Sequence, residues 1–262
     1  MRQGENDKGK VAFRKWFRHL GELRSLCPYA VLLAVSATCT RKAYKKVVKL
    51  LNFKEDALFI RMSPNKSNIK LSVRKAKSLE IAIFPVVEMI QCKQVHRLLI
   101  YCSTIKELSE CYRYLVNECL EDSGVMIQMY HSETTKDIKH SVQGLLRNQD
   151  SKAIIIATSA LGLGLDVANC NSVIIYGLPK SVIDLLQEMG RVGRDGRKSV
   201  AIIVYKSTHL RNANEEVRNV CTTNMCRRQE LLSTLLNEHE LEEISQSTHD
   251  HHSCYDDCQR NC

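Results

Sequence analysis

No stretch of the chain approaches the ~18 apolar residues that a bilayer-spanning helix needs, so no membrane span is expected. The first residues, Met1-Arg-Gln-Gly-Glu-Asn-Asp7, have no apolar core. That excludes a secretory leader and predicts an intracellular chain. No G-x-x-x-x-G-K-S/T run occurs, so the loop that cradles nucleotide β- and γ-phosphates and orders their Mg²⁺ is missing. Aromatic residues make up only 6% of the chain and form no row for base stacking. Nucleic-acid contacts would therefore run through the backbone.

What is present suits a globular protein. The 262 residues can hold one large domain or two small ones, and 44% apolar with 26% charged content is ordinary. The net charge of +9 is unevenly placed. Residues 1–50 carry 12 Lys/Arg against 3 Asp/Glu, whereas residues 237–262 carry 7 acids and one arginine. A basic front suits nucleic acid, and solvated helix faces account for many of these lysines equally well. Twelve cysteines in an intracellular chain are reduced thiols or metal ligands. Those at 27, 92, 102, 111, 119 and 170 stand singly among apolar residues and read as core. Cys221, Cys226, Cys254, Cys258 and Cys262 cluster toward the end.

From residue 75 onward, strands and helices alternate. The spacing predicts helices over 77–92, 105–119, 134–147 and 182–189, and strands over 97–101, 125–130, 153–157, 173–176 and 200–205. Such alternation predicts an α/β fold, a parallel sheet with helices on both faces, and ligands at the C-terminal strand ends. Before it, residues 13–26 read as a helix, 30–35 as a strand and 41–51 as a second helix. Short β-like runs, 58–61 and 69–73, flank the loop Ser63-Pro-Asn-Lys-Ser-Asn68, where a domain boundary is expected.

Two loops follow buried strands. Ala157-Thr-Ser-Ala-Leu-Gly-Leu-Gly-Leu-Asp166 closes the first, and Gln187-Glu-Met-Gly-Arg-Val-Gly-Arg-Asp-Gly196 comes after the second. Glycine lets a backbone approach a ligand closely, and arginine offers a planar fork of donors that fits phosphate oxygens. Strand, Gly-rich loop with an acid, strand, then Gly/Arg loop is how a nucleotide motor brings arginines to a triphosphate.

Together these pieces resemble the RecQ family of superfamily 2 DNA helicases. The first loop matches that family's motif V (A-T-x-A-x-G-x-G-x-D) and the second its motif VI (Q-E-x-G-R-x-G-R-D-G). Ser36, Ala37, Thr38 and Thr40 match motif III, after Phe13, Arg14, Leu20, Gly21, Leu23 and Arg24 match the segment preceding it. Asn68 and Ile69 match the connector between lobes, and Tyr101-Cys-Ser-Thr104 stands at motif IV. Cys226-Arg-Arg-Gln-Glu-Leu-Leu232 matches C-R-R-x-x-L-L of the family's zinc-binding segment. The DEAH box is not found.

The resemblance implies a RecA-like C-terminal helicase lobe, a P-loop NTPase fold, plus a small helical zinc-binding subdomain. Residues 1–64 would be a remnant of the first, ATP-binding lobe, 65–215 the second lobe and 216–262 the zinc subdomain. It implies Arg194 as the arginine finger, Arg191 as its support and Gln187 as the link to the lobe interface. Gly164, Asp166, Gly190 and Gly193 would bind or couple nucleotide. Thr158, Ser103 and Thr104 would hold a DNA backbone, although Thr158 reads equally as a strand-terminal threonine with a satisfied hydroxyl. His131 reads as a structural histidine bonded to its neighbouring loop. A structural Zn²⁺ would sit on Cys226, Cys254, Cys258 and Cys262. Tyr255 stands where the family places a cysteine, so His249, His251 or His252 could fill the gap. The implied activity is ATP-dependent 3′–5′ unwinding of single-stranded or forked DNA, in the nucleus, with ATP and Mg²⁺. Without the phosphate loop and DEAH box, the chain alone would be inactive. A non-catalytic nucleic-acid- or partner-binding module and an RNA helicase are the rival readings.

Overall fold

The computed structural model describes residues 15–119, 124–148, 150–158 and 169–247. Two compact units are present, Met1–Pro64 with Thr234–Asn237, and Asn65–Ser233 with Glu238–Cys262.

The second unit is built on six strands: β1 (Ile69–Lys75), β2 (Arg97–Cys102), β3 (Met126–Tyr130), β4 (Ala153–Ala157), β5 (Ser172–Tyr176) and β6 (Ser199–Tyr205). All pair in parallel, in the order β1-β6-β5-β2-β4-β3. The central strands read as unbroken apolar runs because helices cover both sheet faces. Alternate residues sort to the two sides. Leu98, Ile100, Ile154, Ile156 and Tyr176 face helices α3 (Leu79–Gln91) and α4 (Ile105–Glu118). Leu99, Tyr101, Ile155, Val173 and Ile203 face α5 (Lys136–Arg147), α6 (Val182–Met189), α8 (Glu215–Thr222) and α9 (Arg227–Ser233). Between β6 and α8 lies α7 (Ser207–Asn212), and α10 (Glu238–Ser247) follows α9. Ser78, Thr104, Ser181 and Asn214 open α3, α4, α6 and α8 by accepting a backbone N–H three residues on.

Arg97 is the one arginine whose burial the strand pattern conceals. Its guanidinium donates to the carbonyls of Leu145, Leu146 and Asn148 at the end of α5, and to both oxygens of Ser151. A buried cation is tolerable there because the last helical carbonyls carry partial negative charge.

In the first unit, a 3-10 helix (Lys15–Glu22) runs into α1 (Leu23–Leu26), and α2 spans Arg41–Leu50. The expected 13–26 helix is thus partly 3-10, and Phe13 and Arg14 lie outside the described residues. A Cβ on Gly21 would sit 2.3 Å from the Leu50 carbonyl oxygen, so this glycine lets the chain press against the end of α2. The expected strand over 30–35 does not form. Val31, Leu33 and Val35 are 97%, 80% and 78% exposed. The run 58–61 is likewise not a strand. A strand exists only by pairing, and no strand of this unit is present among the described residues to pair with either run.

Candidate functional site

The Gly/Arg loop begins where α6 ends. Gly190 closes the helix, its N–H bonded to Leu186 O at 2.8 Å. Gly193 and Gly196 follow with φ of +62° and +81°. Only glycine adopts such angles without strain. The loop then enters β6, with Ser199 N–H donating to Asn68 O at 2.8 Å and Gly193 N–H donating to Cys170 O at 3.3 Å. This loop therefore lies where strands begin, not at the C-terminal strand ends where the alternating pattern leads one to expect ligands. At ~1.5 Å per residue, the eight residues of α6 carry the chain ~12 Å back across the sheet. Arg191 and Arg194 consequently flank the end where β1, β5 and β6 begin.

Two segments distant in sequence fix this turn. The Asn68 carboxamide donates to Gly193 O at 2.8 Å and to Arg197 O at 2.9 Å. Lys66 Nζ donates to Gly190 O at 3.1 Å, an oxygen that also accepts from Arg194 Nε at 3.4 Å. Partial burial, and after it the Arg194 and Arg191 guanidinium groups, holds the Lys66 ammonium below the usual lysine range. Arg228, buried at the start of α9, donates to Asn65 Oδ1 at 2.5 Å, Lys66 O at 3.0 Å and Ile69 O at 3.1 Å. Its neighbour Arg227 closes α8 through the carbonyls of Val220 and Cys221. Asn68 entered the sequence reading only as a connector residue, and Lys66 and Arg228 not as site residues at all. The signal was the polar run 63–68 before a strand.

Gln187 is exposed on α6 and Glu188 partly buried. Burial, with Asp184 one turn away, pushes the Glu188 carboxyl up to about 8. Asp195 pairs with Arg197 at 3.1 Å.

At the opposite end of the sheet, Tyr101 pairs with Ala157, so Ser103 and Thr158 follow the ends of neighbouring strands. Thr158 is half-buried, its N–H donating to Tyr130 O at 3.2 Å. Ser103 is exposed and abuts Gly177, where a Cβ would meet its hydroxyl at 2.0 Å. The Thr104 hydroxyl is engaged within α4, accepting from Glu107 N–H and donating to the Glu107 carboxylate, both at 3.2 Å. Glu107 in turn meets His209 Nε2 at 2.6 Å and Lys206 Nζ at 3.8 Å. Burial alone would raise the Glu107 carboxyl, but His209, Thr104 and Lys206 hold it below the usual range. The 131–134 turn closes through the His131 N–H and the Thr134 hydroxyl. The buried His131 Nδ1 has no hydrogen-bond partner among the described residues, so the expected ring bond to the loop is not found there.

Ser36, Ala37 and Thr38 lie in the first unit. The Ser36 hydroxyl bridges to the Thr38 carbonyl and N–H, a local turn before Thr40 caps α2. Gly164 and Asp166 lie outside the described residues, as do Cys254, Cys258, Cys262 and the three histidines near them. Cys226 is half-buried against the core, and no group of three potential metal ligands occurs among the described residues. No helix among them is long and apolar enough to cross a membrane.

The helicase conserved C-terminal domain matches residues 81–196. A protein of Acanthamoeba polyphaga mimivirus named as an ATP-dependent RNA helicase is 31% identical over 74% of this chain, 34% of its own length. The ATP-dependent DNA helicase RecQ of Pasteurella multocida is 27% identical over 74% of this chain and 29% of its own. The RecQ-like DNA helicase BLM of Xenopus laevis is 29% identical over 84% and 17%. The chain thus spans between 17% and 34% of these relatives' length. In fold it is similar to Saccharomyces cerevisiae Dbp5 bound to RNA and ADP BeF3, with a TM-score of 0.57 at 20% identity over 80% of this chain and 53% of that one. Mss116p bound to ssRNA and AMP-PNP gives 0.57 at 21% identity, over 81% and 45%. The six-stranded parallel sheet has the fold of the RecA-like helicase lobe, residues 81–196 carry the helicase conserved C-terminal domain, and over about three quarters of its length the chain is similar to RecQ-like DNA helicases.

Proposed function

We propose that the chain supplies the second motor lobe of an ATP-dependent 3′–5′ DNA helicase. The observation that carries this is the separation of two chemistries by the length of one sheet. Arg191, Arg194 and Lys66 gather at one end, and the hydroxyl-bearing Ser103 and Thr158 stand at the other. Arg194 reaches the terminal phosphate of ATP, where a fixed cation stabilises developing charge at no reorganisation cost. Arg191 supports it, Gln187 and the Gly190–Gly193 turn face the lobe interface, and Gly164 and Asp166 couple nucleotide state to DNA grip. Thr158 and Ser103 hold phosphates of the tracked strand, with Thr104 shaping the helix end beside them.

Residues 1–64 act as a remnant of the first lobe, 65–215 as the second, and 216–262 as a zinc-binding subdomain. Cys226, Cys254, Cys258 and Cys262 hold a structural Zn²⁺, four thiolates being the usual closed set. ATP and its Mg²⁺ are handled together with a phosphate loop that this sequence does not contain, so the chain alone turns ATP over no faster than background. A DNA-tracking role places it with DNA, in the nucleus of a eukaryotic cell. Five cations of α2 (Arg41, Lys42, Lys45, Lys46 and Lys49) are exposed, add to the positive charge of this basic front and suit the same polyanion.

Fluorescence anisotropy with single-stranded DNA at several salt concentrations tests the reading. Binding should be weak and sequence-independent, with a log–log salt slope of about −2 to −4. Thr158→Ala should cost roughly 0.5–1.5 kcal/mol, one ordinary hydrogen bond. Arg194→Ala should leave DNA affinity unchanged. Absent binding at low salt rejects the tracking role and favours a partner-binding module. A clear preference for an RNA strand of equal length favours the RNA helicase.

A further inference from the structure

Three cations from two distant parts of the chain converge on the end of α6. Lys66 Nζ and Arg194 Nε share the Gly190 carbonyl as acceptor, which keeps the two nitrogens within about 6.5 Å of each other. Arg191 is close enough to depress the Lys66 ammonium, after burial and Arg194 have done so. Asp195, the acid of the turn itself, is engaged by Arg197, its carboxylate accepting from both the Arg197 guanidinium and the Arg197 backbone N–H.

Lys66 does not arrive there by a loose tether. Arg228 braces the segment around it, donating to the Asn65 side-chain Oδ1 and to the backbone carbonyls of Lys66 and Ile69. Asn68 then clamps the same segment to the arginine turn at Gly193 and Arg197. Like charges brought together at a helix end by such fixed supports are arranged for a multivalent anion. An ammonium has three donors, and one goes to Gly190, leaving two for phosphate oxygens.

We propose that Lys66 is a third phosphate-binding cation of this turn, contacting the terminal phosphates of a nucleoside triphosphate beside Arg194. The assignment rests on the nucleotide-facing role proposed above for the turn. It adds a residue from the segment before β1 to a site otherwise drawn from the loop before β6. The competing role is purely structural, a cation satisfying the last carbonyl of α6.

The probe is inorganic tripolyphosphate, titrated calorimetrically into the full chain at low salt. Lys66→Gln removes the charge but keeps an N–H for Gly190, so its melting should match wild type. Its affinity should fall roughly tenfold, the worth of a hydrogen bond to a charged group. Lys66→Arg should bind within about threefold of wild type, because charge and donors persist. On wild-type protein, tripolyphosphate should protect the Lys66 amine from acylation, read by mass spectrometry. If Lys66→Gln binds as wild type does while Arg194→Ala loses affinity, or if Lys66 gains no protection, Lys66 is a structural cap only and the turn keeps its role. If wild type does not bind, or Arg194→Ala binds equally well, the nucleotide-facing reading fails and takes this proposal with it.

Discussion

The Asn68 Nδ2 lies 2.8 Å from the Gly193 carbonyl oxygen and would lie only 2.6 Å from a Cβ on that same glycine. One contact thus explains both the carboxamide and the missing side chain, and it joins positions 125 residues apart.

Gly193→Ala should therefore be costly. The alanine must hold φ near +62° and displace both Asn68 and the Ser199 hydroxyl, 2.8 Å from the new methyl. Chemical denaturation should register about 2–4 kcal/mol of lost stability. An unchanged midpoint would mean that the turn relaxes freely and is not held by Asn68.

Arg228→Lys should fail to restore what arginine does. A guanidinium reaches Asn65, Lys66 and Ile69 through a rigid fork, which one ammonium cannot reproduce. The expected loss is about 2–4 kcal/mol, because carbonyls are left unpaired in a buried site. Hydrogen exchange should show the protection loss centred on residues 65–69. A uniform loss across the sheet would argue against a local clamp.

Glu188 makes stability fall as pH rises. Its carboxyl ionises near 8 in the folded chain against 4.5 for the free group, so the native state holds the proton more tightly. The burial cost is absent below about pH 4.5, grows as pH climbs toward 8, and is constant above that. Glu188→Gln should melt like wild type at about pH 4.5 and gain roughly 1–3 kcal/mol at about pH 9. A gain of equal size at both ends would point to packing instead of charge.

Metal content offers a separate check. Protein purified without chelator should carry about one zinc per chain, as a closed thiolate site holds. Cys226→Ser should lower that content, and chelation should lower the melting temperature. Zinc near zero with melting indifferent to chelator would dismiss the site.

The six strands and the helices between them were readable because each signal is local. Ser78, Thr104 and Ser181 mark helix starts, and Ile154–Ile156 or Val173–Ile175 can only be buried. The run 30–35 carries the same apolar signal and forms no strand, since pairing depends on a partner that its own composition does not specify. Motif VI was recognisable as a string, but its place at the start of β6 follows from the return run of α6. The supports of that turn were hidden for a related reason. Asn68, Lys66 and Arg228 look like ordinary loop and helix residues until the fold sets them against Gly190 and Gly193.

The pairing of β1 has a consequence for how the lobe comes into being. Among the described residues its sheet partner is β6 alone, and Ile69 meets Ser199 about 130 residues downstream. At ~5–20 residues per second, a ribosome would need roughly 6–26 seconds between making the first strand and its mate. Through that interval the apolar Ile69 and Leu71 have no sheet to join. The lobe should thus assemble from β2, β4 and β5 outward and acquire its earliest-made strand last. That order leaves nascent β1 the segment most exposed to chaperones and to stray strand pairing.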